Sequence, residues 1–422
     1  MPHVPPDRTE ASASGAPSPP RDAIWTRPFL ILLAGGLANF LAIGAVLPLL
    51  PRHVTASLGG SDFMVGLVIG SIALSSVAAR PAAARVANRR GRRPLALAGA
   101  VVTCGSIAAY AIAPNLVFLC MARLLTGVGQ ALFFTGAATM LTELAPESRR
   151  GAAISYFSVA VYLGIGFGPA IGELVFSSTT IVWGFLAAAG FSLVAASICV
   201  GLPETMSLDE DEDDDEDDDD DIEPTPIPRV HRAALLPGVV LALGMVGNVT
   251  FHSYLPLYSD ALGMGGPQWV FLTFAVTVIV VRALGASLPD VLGPGRSGTI
   301  ATVTIAAGMS TIAVFATPGA LYLGAVVFAL GVSFHYPSLM SLVVSRTTKR
   351  ERSSAIATFT AFFDIAMGAG GVAIGVAAVV GGYRATFAAA AFAAAAGLAV
   401  LRLAVLRPAD GTTTIGAPTT RS

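Results

Sequence analysis

Apolar runs of about 20 residues recur along this chain, and no other feature limits its fold so tightly. They fall at about 29–51, 63–83, 95–113, 116–141, 152–176, 180–202, 234–258, 268–288, 298–316, 319–344, 354–380 and 384–406. Each is long enough to cross a hydrocarbon core of roughly 30 Å as a helix rising about 1.5 Å per residue. A water-soluble surface is not available to such a chain. Only 12% of its 422 residues are charged, against about 25% in an ordinary soluble domain. The expectation is an all-α membrane protein with twelve transmembrane helices in a lipid bilayer.

The first run is too long for the apolar core of a secretory signal and is read as an uncleaved span. Pro5, Pro6, Pro17, Pro19 and Pro20 make residues 1–27 a disordered tail, and residues 407–422 form a second one. Between spans six and seven lies a linker over 204–232. It holds the wholly acidic run Asp209–Asp221, whose like charges repel and keep it extended. A solvated linker is the plain reading, with a regulatory or cation-binding role as the alternative. The linker separates six-helix bundles over 28–203 and 233–406.

Orientation follows from the basic residues. With the N-terminus inside, cytoplasmic loops hold Arg85, Arg89, Arg90, Arg92, Arg93, Arg149, Arg150, Arg296, Arg346, Lys349, Arg350 and Arg352. The opposite loops hold Arg52 and Arg384. Both termini and the linker are therefore expected in the cytoplasm, with the protein in the plasma membrane. Cys104, Cys120 and Cys199 lie inside apolar runs and fit neither a disulfide framework nor a metal site. No basic domain suggests nucleic acid.

The halves repeat. Arg80, Asn88 and Gly91 are followed 202 residues later by Arg282, Asp290 and Gly293 (282 − 80 = 202). Arg150, Ile154, Phe157, Gly166 and Gly168 recur at the same offset as Arg352, Ile356, Phe359, Gly368 and Gly370. Asn39 and Pro48 pair more loosely with Asn248 and Pro256. Two parallel six-helix repeats are implied.

The loop Ala84-Arg-Val-Ala-Asn88-Arg89-Arg-Gly91-Arg92-Arg93 resembles the G-x-x-x-D-R-x-G-R-R pattern of the major facilitator superfamily. Ala84 and Asn88 depart from it. The second half keeps the acid, as Asp290, followed by Gly293. In the family this aspartate takes part in a charge latch at the cytoplasmic side, so Asn88 speaks against a charged latch in the first half. Arg123-Leu-Leu-Thr-Gly127-Val-Gly129-Gln130 in span four is similar to the family's R-x-x-x-G-x-G pattern. Gly164-Ile-Gly166-Phe-Gly168-Pro169-Ala-Ile-Gly172 in span five resembles the signature of drug:proton antiporters. The resemblance covers about residues 28–406. It implies the twelve-helix major facilitator fold and secondary transport by rocking of the two bundles about a site between them. The span-five motif implies export. On physical grounds, glycines four apart allow close helix approach and Pro169 can bend span five, giving either a hinge between bundles or tight packing alone.

Ionisable groups at membrane depth are costly and default to functional candidates. Asp364 lies twelve residues after Arg352, roughly 18 Å deep, and is the first candidate for a proton-carrying carboxylate. His335 is its candidate partner or a second relay. The alternatives are an interhelical hydrogen bond for Asp364 and a satisfied interior histidine for His335. Arg123 and Glu173 form a second pair, expected toward the outer end on adjacent spans; the resemblance implies an influence of Arg123 on proton transfer. Arg80 and Arg282 are placed near span ends, where snorkelling suffices. Asn39, Gln130, Tyr162, Asn248, His252 and Tyr336 are candidates for a substrate cavity. Tyr162 is the repeat equivalent of Asp364 (162 + 202 = 364). Phenylalanines such as Phe133, Phe134, Phe362 and Phe363 read mainly as packing.

An apolar cavity with few polar anchors suits a small, moderately hydrophobic organic molecule. Proton-coupled export is the leading expectation, with a proton- or sodium-coupled uptake symporter, and a membrane sensor or scaffold, as rivals. A phosphate-cradling G-x-x-x-x-G-K-[ST] loop and an H-E-x-x-H motif are both lacking in the sequence. The chain is expected not to be an enzyme, to need no cofactor or metal, and to suffice as a monomer.

The orientation is open to a direct check. In a background with its three cysteines replaced by serine, Asp215→Cys should react with a membrane-permeant maleimide in intact cells and resist an impermeant one. Arg384→Cys should react with both. The reverse pattern would invert the topology.

Overall fold

The computed structural model describes residues 24–146, 149–205, 231–285, 291–348 and 351–406. The expectations for residues 1–23, the acidic run, Asp290 and residues 407–422 lie outside them. Among the described residues every regular element is helical. Eleven helices are long and apolar enough to span a membrane. The last covers 52 residues, about 78 Å at 1.5 Å per residue, twice what one crossing needs. It is broken at Gly382, where φ is 70° and ψ is −172°. Glycine alone adopts this backbone readily, and the chain reverses there, so the twelve spans are present.

In chain order these are α1 (Arg27–Val46, continued to Ser57), α2 (Asp62–Arg90), α3 (Arg92–Tyr110), α4 (Leu116–Leu144), α5 (Arg150–Ser178) and α6 (Ile181–Val200). The second half holds α7 (Arg232–Ala261), α8 (Gln268–Gly285), α9 (Pro294–Val314), α10 (Pro318–Val344), α11 (352–381) and α12 (383–400). The face bearing residues 24 and 406 is called the terminal face below, and the opposite one the far face.

The repeat written in the sequence recurs in the backbone. Gly91 turns α2 into α3 at φ 95° and ψ 159°, and Gly293 precedes α9 at φ 77° and ψ 154°. Asn115 caps α4 through a bond from the Phe118 amide (2.9 Å), and Thr317, 202 residues later, caps α10 through the Ala320 amide (3.4 Å). At the far face Arg384 donates to the carbonyls of Ala313 and Val314, both at 2.9 Å, satisfying the free end of α9.

In the first half α1 lies against α5 and α6, and α4 against α2 and α3. The halves meet along two seams, α2 with α11 and α5 with α8. Exchanging the repeats converts one seam into the other. Small residues make the closest approaches. A Cβ on Gly44 of α1 would stand 2.7 Å from the Gly164 carbonyl oxygen and 3.0 Å from Gly168 Cα. At the α2–α11 seam a Cβ on Gly371 would stand 2.9 Å from the Gly66 carbonyl oxygen. Span five thus uses Gly164 and Gly168 to pack on α1 of its own half. Of its glycines, Gly166 is the one that faces α8, with Ala275 as neighbour. Gly164, Gly168 and Gly172 make packing contacts inside one bundle, in keeping with the packing alternative.

Large apolar side chains such as Leu74, Ile112, Leu284, Val380 and Phe392 are exposed on the outside of this bundle, as a lipid-facing surface requires. Gly44→Val should overpack the α1–α5 contact and destabilise by about 1–3 kcal/mol. Gly190→Ala, with open space around its Cβ, should be neutral. Thermal unfolding of both variants in detergent provides the comparison.

Candidate functional site

Two arginines decide how the halves meet at mid-depth. Arg80 sits ten residues before the end of α2 at Arg90, about 15 Å along the helix. It lies near the end of the apolar run at about 63–83, but its side chain turns to Asp364 rather than to the span end, so a contact between the halves stands in place of the expected snorkelling. Its guanidinium crosses the α2–α11 seam to Asp364, with Nη1 2.8 Å from Oδ2 and Nη2 donating to Oδ1 at 3.1 Å. The Asp364 side chain is 10% exposed and that of Arg80 41%. The contact is one charge-assisted hydrogen bond, to Oδ1, plus a close ionic approach to Oδ2, which has no hydrogen-bond donor aligned on it.

The second seam carries the repeat-related contact. Arg282 of α8 lies over the ring of Tyr162 on α5, its guanidinium carbon 3.8 Å from the ring centre. Arg80 and Arg282 are 202 residues apart, as are Tyr162 and Asp364. One pseudo-two-fold operation thus relates Arg80–Asp364 to Arg282–Tyr162. Tyr336 of α10 lies within electrostatic reach of Tyr162, Arg80 and Asp364, and its ring is 5.5 Å from that of Phe359. These side chains form one polar cluster between the bundles.

A second cluster closes the far face. Arg52 forms an ion pair with Glu173 inside its own half. It reaches across to Asp260 of α7, with Nε to Oδ2 at 2.7 Å and Nη2 to Oδ1 at 2.9 Å. Phe176 covers the guanidinium at 5.1 Å. Nearby, the Tyr254 hydroxyl donates to the Asp62 carbonyl at 3.0 Å, again across the halves. At the terminal face the ion pairs joining described residues stay within one half: Arg92–Glu143 at 2.9 Å and His231–Glu351 at 3.9 Å. Among such pairs, those that bridge the halves lie at mid-depth or at the far face.

Several expected partnerships are corrected. Glu173 does not meet Arg123. Depth agrees, but α4 packs mainly on α2 and α3 while α5 packs mainly on α1, and the contact between α4 and α5 is slight. Arg123 is 1% exposed, and its Nε and Nη1 lack hydrogen-bond partners. His335 does not reach Asp364. Successive helix residues point about 100° apart, so Tyr336 faces the cluster while His335 turns into its own half. There it packs on Gly244 and lies 3.5 Å from the Thr302 hydroxyl.

Two cavity candidates are buried inside their own halves in this arrangement. Asn39 is fully buried inside the first half, accepting from Ser192 at 3.1 Å. His252 is 2% exposed, donates to the Asn248 carbonyl at 2.9 Å and stacks on Phe271. Asn248 and Gln130 are partly buried, and Gln130 Nε2 has no hydrogen-bond partner. In the loop motif Asn88 and Arg89 are exposed. Glu204 accepts from the amides of Arg92 (2.9 Å) and Arg93 (3.2 Å) just past Gly91, tying the turn to the end of α6. Pro169 lies within α5 without ending it.

Arg52, Asp260 and the cross-pairing of Arg80 escaped the sequence analysis. The offset relates Arg80 to Arg282 and Tyr162 to Asp364 but holds no signal for which of them touch, because that depends on which helix faces meet. The pair can be tested by a double-mutant cycle on thermal stability. Arg80→Gln or Asp364→Asn alone should cost about 2–3 kcal/mol, below the 3–5 of a fully buried pair because Arg80 is partly exposed. The double variant should recover at least 1 kcal/mol of the summed loss, roughly the coupling of a contacting pair. Simple additivity would show that the contact carries no energy.

Comparison with known proteins agrees with this architecture. The family model described as Major Facilitator Superfamily matches residues 32–318 and 266–420. The uncharacterized MFS-type transporter STM4428 of Salmonella typhimurium is 26% identical over 362 residues, covering 84% of this chain and 90% of its own length. Among solved structures, a POT family transporter in complex with 5-aminolevulinic acid has TM-score 0.71 at 14% identity, covering 91% of this chain and 96% of its own. The nucleoside transporter NupG has TM-score 0.68 at 13% identity, covering 89% and 98%. At these identities the structures speak for the fold alone. With the family model matched along both six-helix halves, the chain belongs to the Major Facilitator Superfamily and is an integral membrane protein of the transporter type.

Proposed function

We propose that this protein is a proton-coupled secondary transporter that exports a small, moderately hydrophobic organic molecule by alternating access, with Asp364 as the coupling carboxylate. The observation that carries this reading is the Arg80–Asp364 ion pair at mid-depth across a seam between the halves. A proton arriving on Asp364 removes the charge that Arg80 holds. In a low-dielectric setting the loss of one partner weakens the contact by several kcal/mol, and the α2–α11 seam is freed to part. Releasing the proton restores the pair. A proton can thereby bias a two-state arrangement of rigid bundles.

The basic residues that set orientation put the terminal face in the cytoplasm of a cell whose plasma membrane holds the protein. On that reading Arg52, Glu173 and Asp260 form the outer gate. The present arrangement, bridged at the far face, corresponds to a state closed to the outside. Export rather than uptake is supported by the span-five pattern Gly164–Gly172. The substrate cavity would include Tyr162 and Tyr336, and one chain holds the complete pathway, so a monomer suffices.

The test is reconstitution in liposomes with a pH-sensitive dye inside, an imposed proton gradient, and a panel of lipophilic organic compounds. Substrate-dependent proton flux is expected in the unmodified protein and should fall at least tenfold in Asp364→Asn, on the order of the 1.4 kcal/mol that a tenfold change represents. Proton movement opposite to substrate identifies antiport. Flux that persists in Asp364→Asn, or a requirement for sodium, would overturn this assignment.

A further inference from the structure

The two seams are related by symmetry but are not electrically equivalent. Arg80 faces the carboxylate of Asp364, whereas at the matching position Arg282 faces the ring of Tyr162. Tyr162 covers one face of the guanidinium. The in-plane edge, where a carboxylate binds in two-pronged fashion, is left without a partner. Arg282 Nε and Nη2 are both buried and have no hydrogen-bond acceptor, and no ion pair among the described residues includes Arg282. Stacking on an aromatic ring stabilises a cation modestly. Burying two guanidinium nitrogens with no acceptor opposes it, although the residue as a whole keeps some exposure. The balance favours an anion beside Arg282. The cluster also carries two guanidinium charges against the single carboxylate of Asp364, leaving one positive charge.

We propose that Arg282 is the anchor for the negative end of the transported molecule, and that the substrate class is organic monocarboxylates with a flat or apolar body. The carboxylate takes the place that Asp364 occupies at the other seam, so the loaded cluster is neutral. The rings of Tyr162 and Tyr336 supply an aromatic wall for the rest of the molecule, with Phe359 packed behind Tyr336 in the core of its half. The edge of Arg282 is covered in the present arrangement, so loading requires the α5–α8 seam to part. This inference rests on the transporter reading above but not on the identity of the coupling ion.

The experiment uses purified full-length protein in detergent and thermal unfolding as the readout. The probes are benzoate, octanoate and 2-naphthoate, each paired with its uncharged amide, plus 2-naphthyl phosphate. At least one carboxylate should raise the unfolding temperature saturably while its amide does not. A larger shift with the phosphate than with any carboxylate would overturn the carboxylate assignment. Arg282→Gln should weaken the apparent affinity at least tenfold and Arg282→Lys less. Tyr162→Asp places the missing carboxylate inside the protein. It should raise the unfolding temperature without ligand and abolish the response to carboxylates, a result that misfolding cannot mimic. Equal stabilisation by acid and amide, undiminished carboxylate preference in Arg282→Gln, or no response to any carboxylate would each overturn the proposal. Proton flux lost in Asp364→Asn together with charge-blind binding would sink this inference and leave the coupling mechanism standing. Carboxylate-selective binding without proton flux would do the reverse.

Discussion

In hydrocarbon, every backbone amide and carbonyl has to find its partner inside the protein, because no water is available to take its place. The rest of this structure depends on that constraint. It turns each apolar run into a helix, and it concentrates irregular backbone at capped ends and glycine turns such as Gly91, Gly293 and Gly382. With the backbone satisfied within each span, the helices associate through close packing and a few polar contacts. Gly44 against Gly164 and Gly168 in one bundle, and Gly66 against Gly371 between bundles, bring backbones nearer than any side chain would allow.

The seams between the halves combine two requirements. They have to hold in one arrangement and yield to another. Glycine contacts provide close approach without interlocking side chains. Charged contacts provide the hold, and a charged contact responds to a proton or an ion in a way that packed leucines do not. The strong cross-half contacts sit in two layers, Arg52–Asp260 at the far face and Arg80–Asp364 at mid-depth. By contrast, Arg92–Glu143 and the bonds from the Arg92 and Arg93 amides to Glu204 bind one bundle to itself. The bundles are thus braced internally at one face and bridged to each other at the opposite one, an arrangement compatible with rigid bodies that rock.

Internal duplication gives the mid-depth cluster its character. Had both halves kept the same residues, the two seams would be electrically alike. Aspartate at 364 and tyrosine at 162 break that likeness while the arginines at 80 and 282 preserve it. The result is one seam whose arginine faces a carboxylate and one whose arginine faces an aromatic ring. Such asymmetry inside a symmetric frame places two different chemical tasks at one depth, and the proton and the substrate can then act on the same pair of bundles.

The sequence by itself determined the class of fold, the twelve spans, the division into two halves and their common offset. These depend on hydrophobic run length and on local signals, and such quantities are read along the chain. It also determined depth, because rise per residue is fixed in a helix: Asp364 was legible as a mid-depth carboxylate. What only the tertiary structure decided was direction around each helix axis and the order of helices around the bundle. His335 and Tyr336 are neighbours in the chain yet point about 100° apart, into the bundle and toward the cluster respectively. Glu173 and Arg123 share a depth, but α5 turns to α1 and α4 to α2 and α3, so Glu173 found Arg52 instead. Apolar spans with polar atoms on several faces carry no clear amphipathic stripe, so the sequence holds no signal for which face looks inward. That information arises only when helices far apart in the chain pack together.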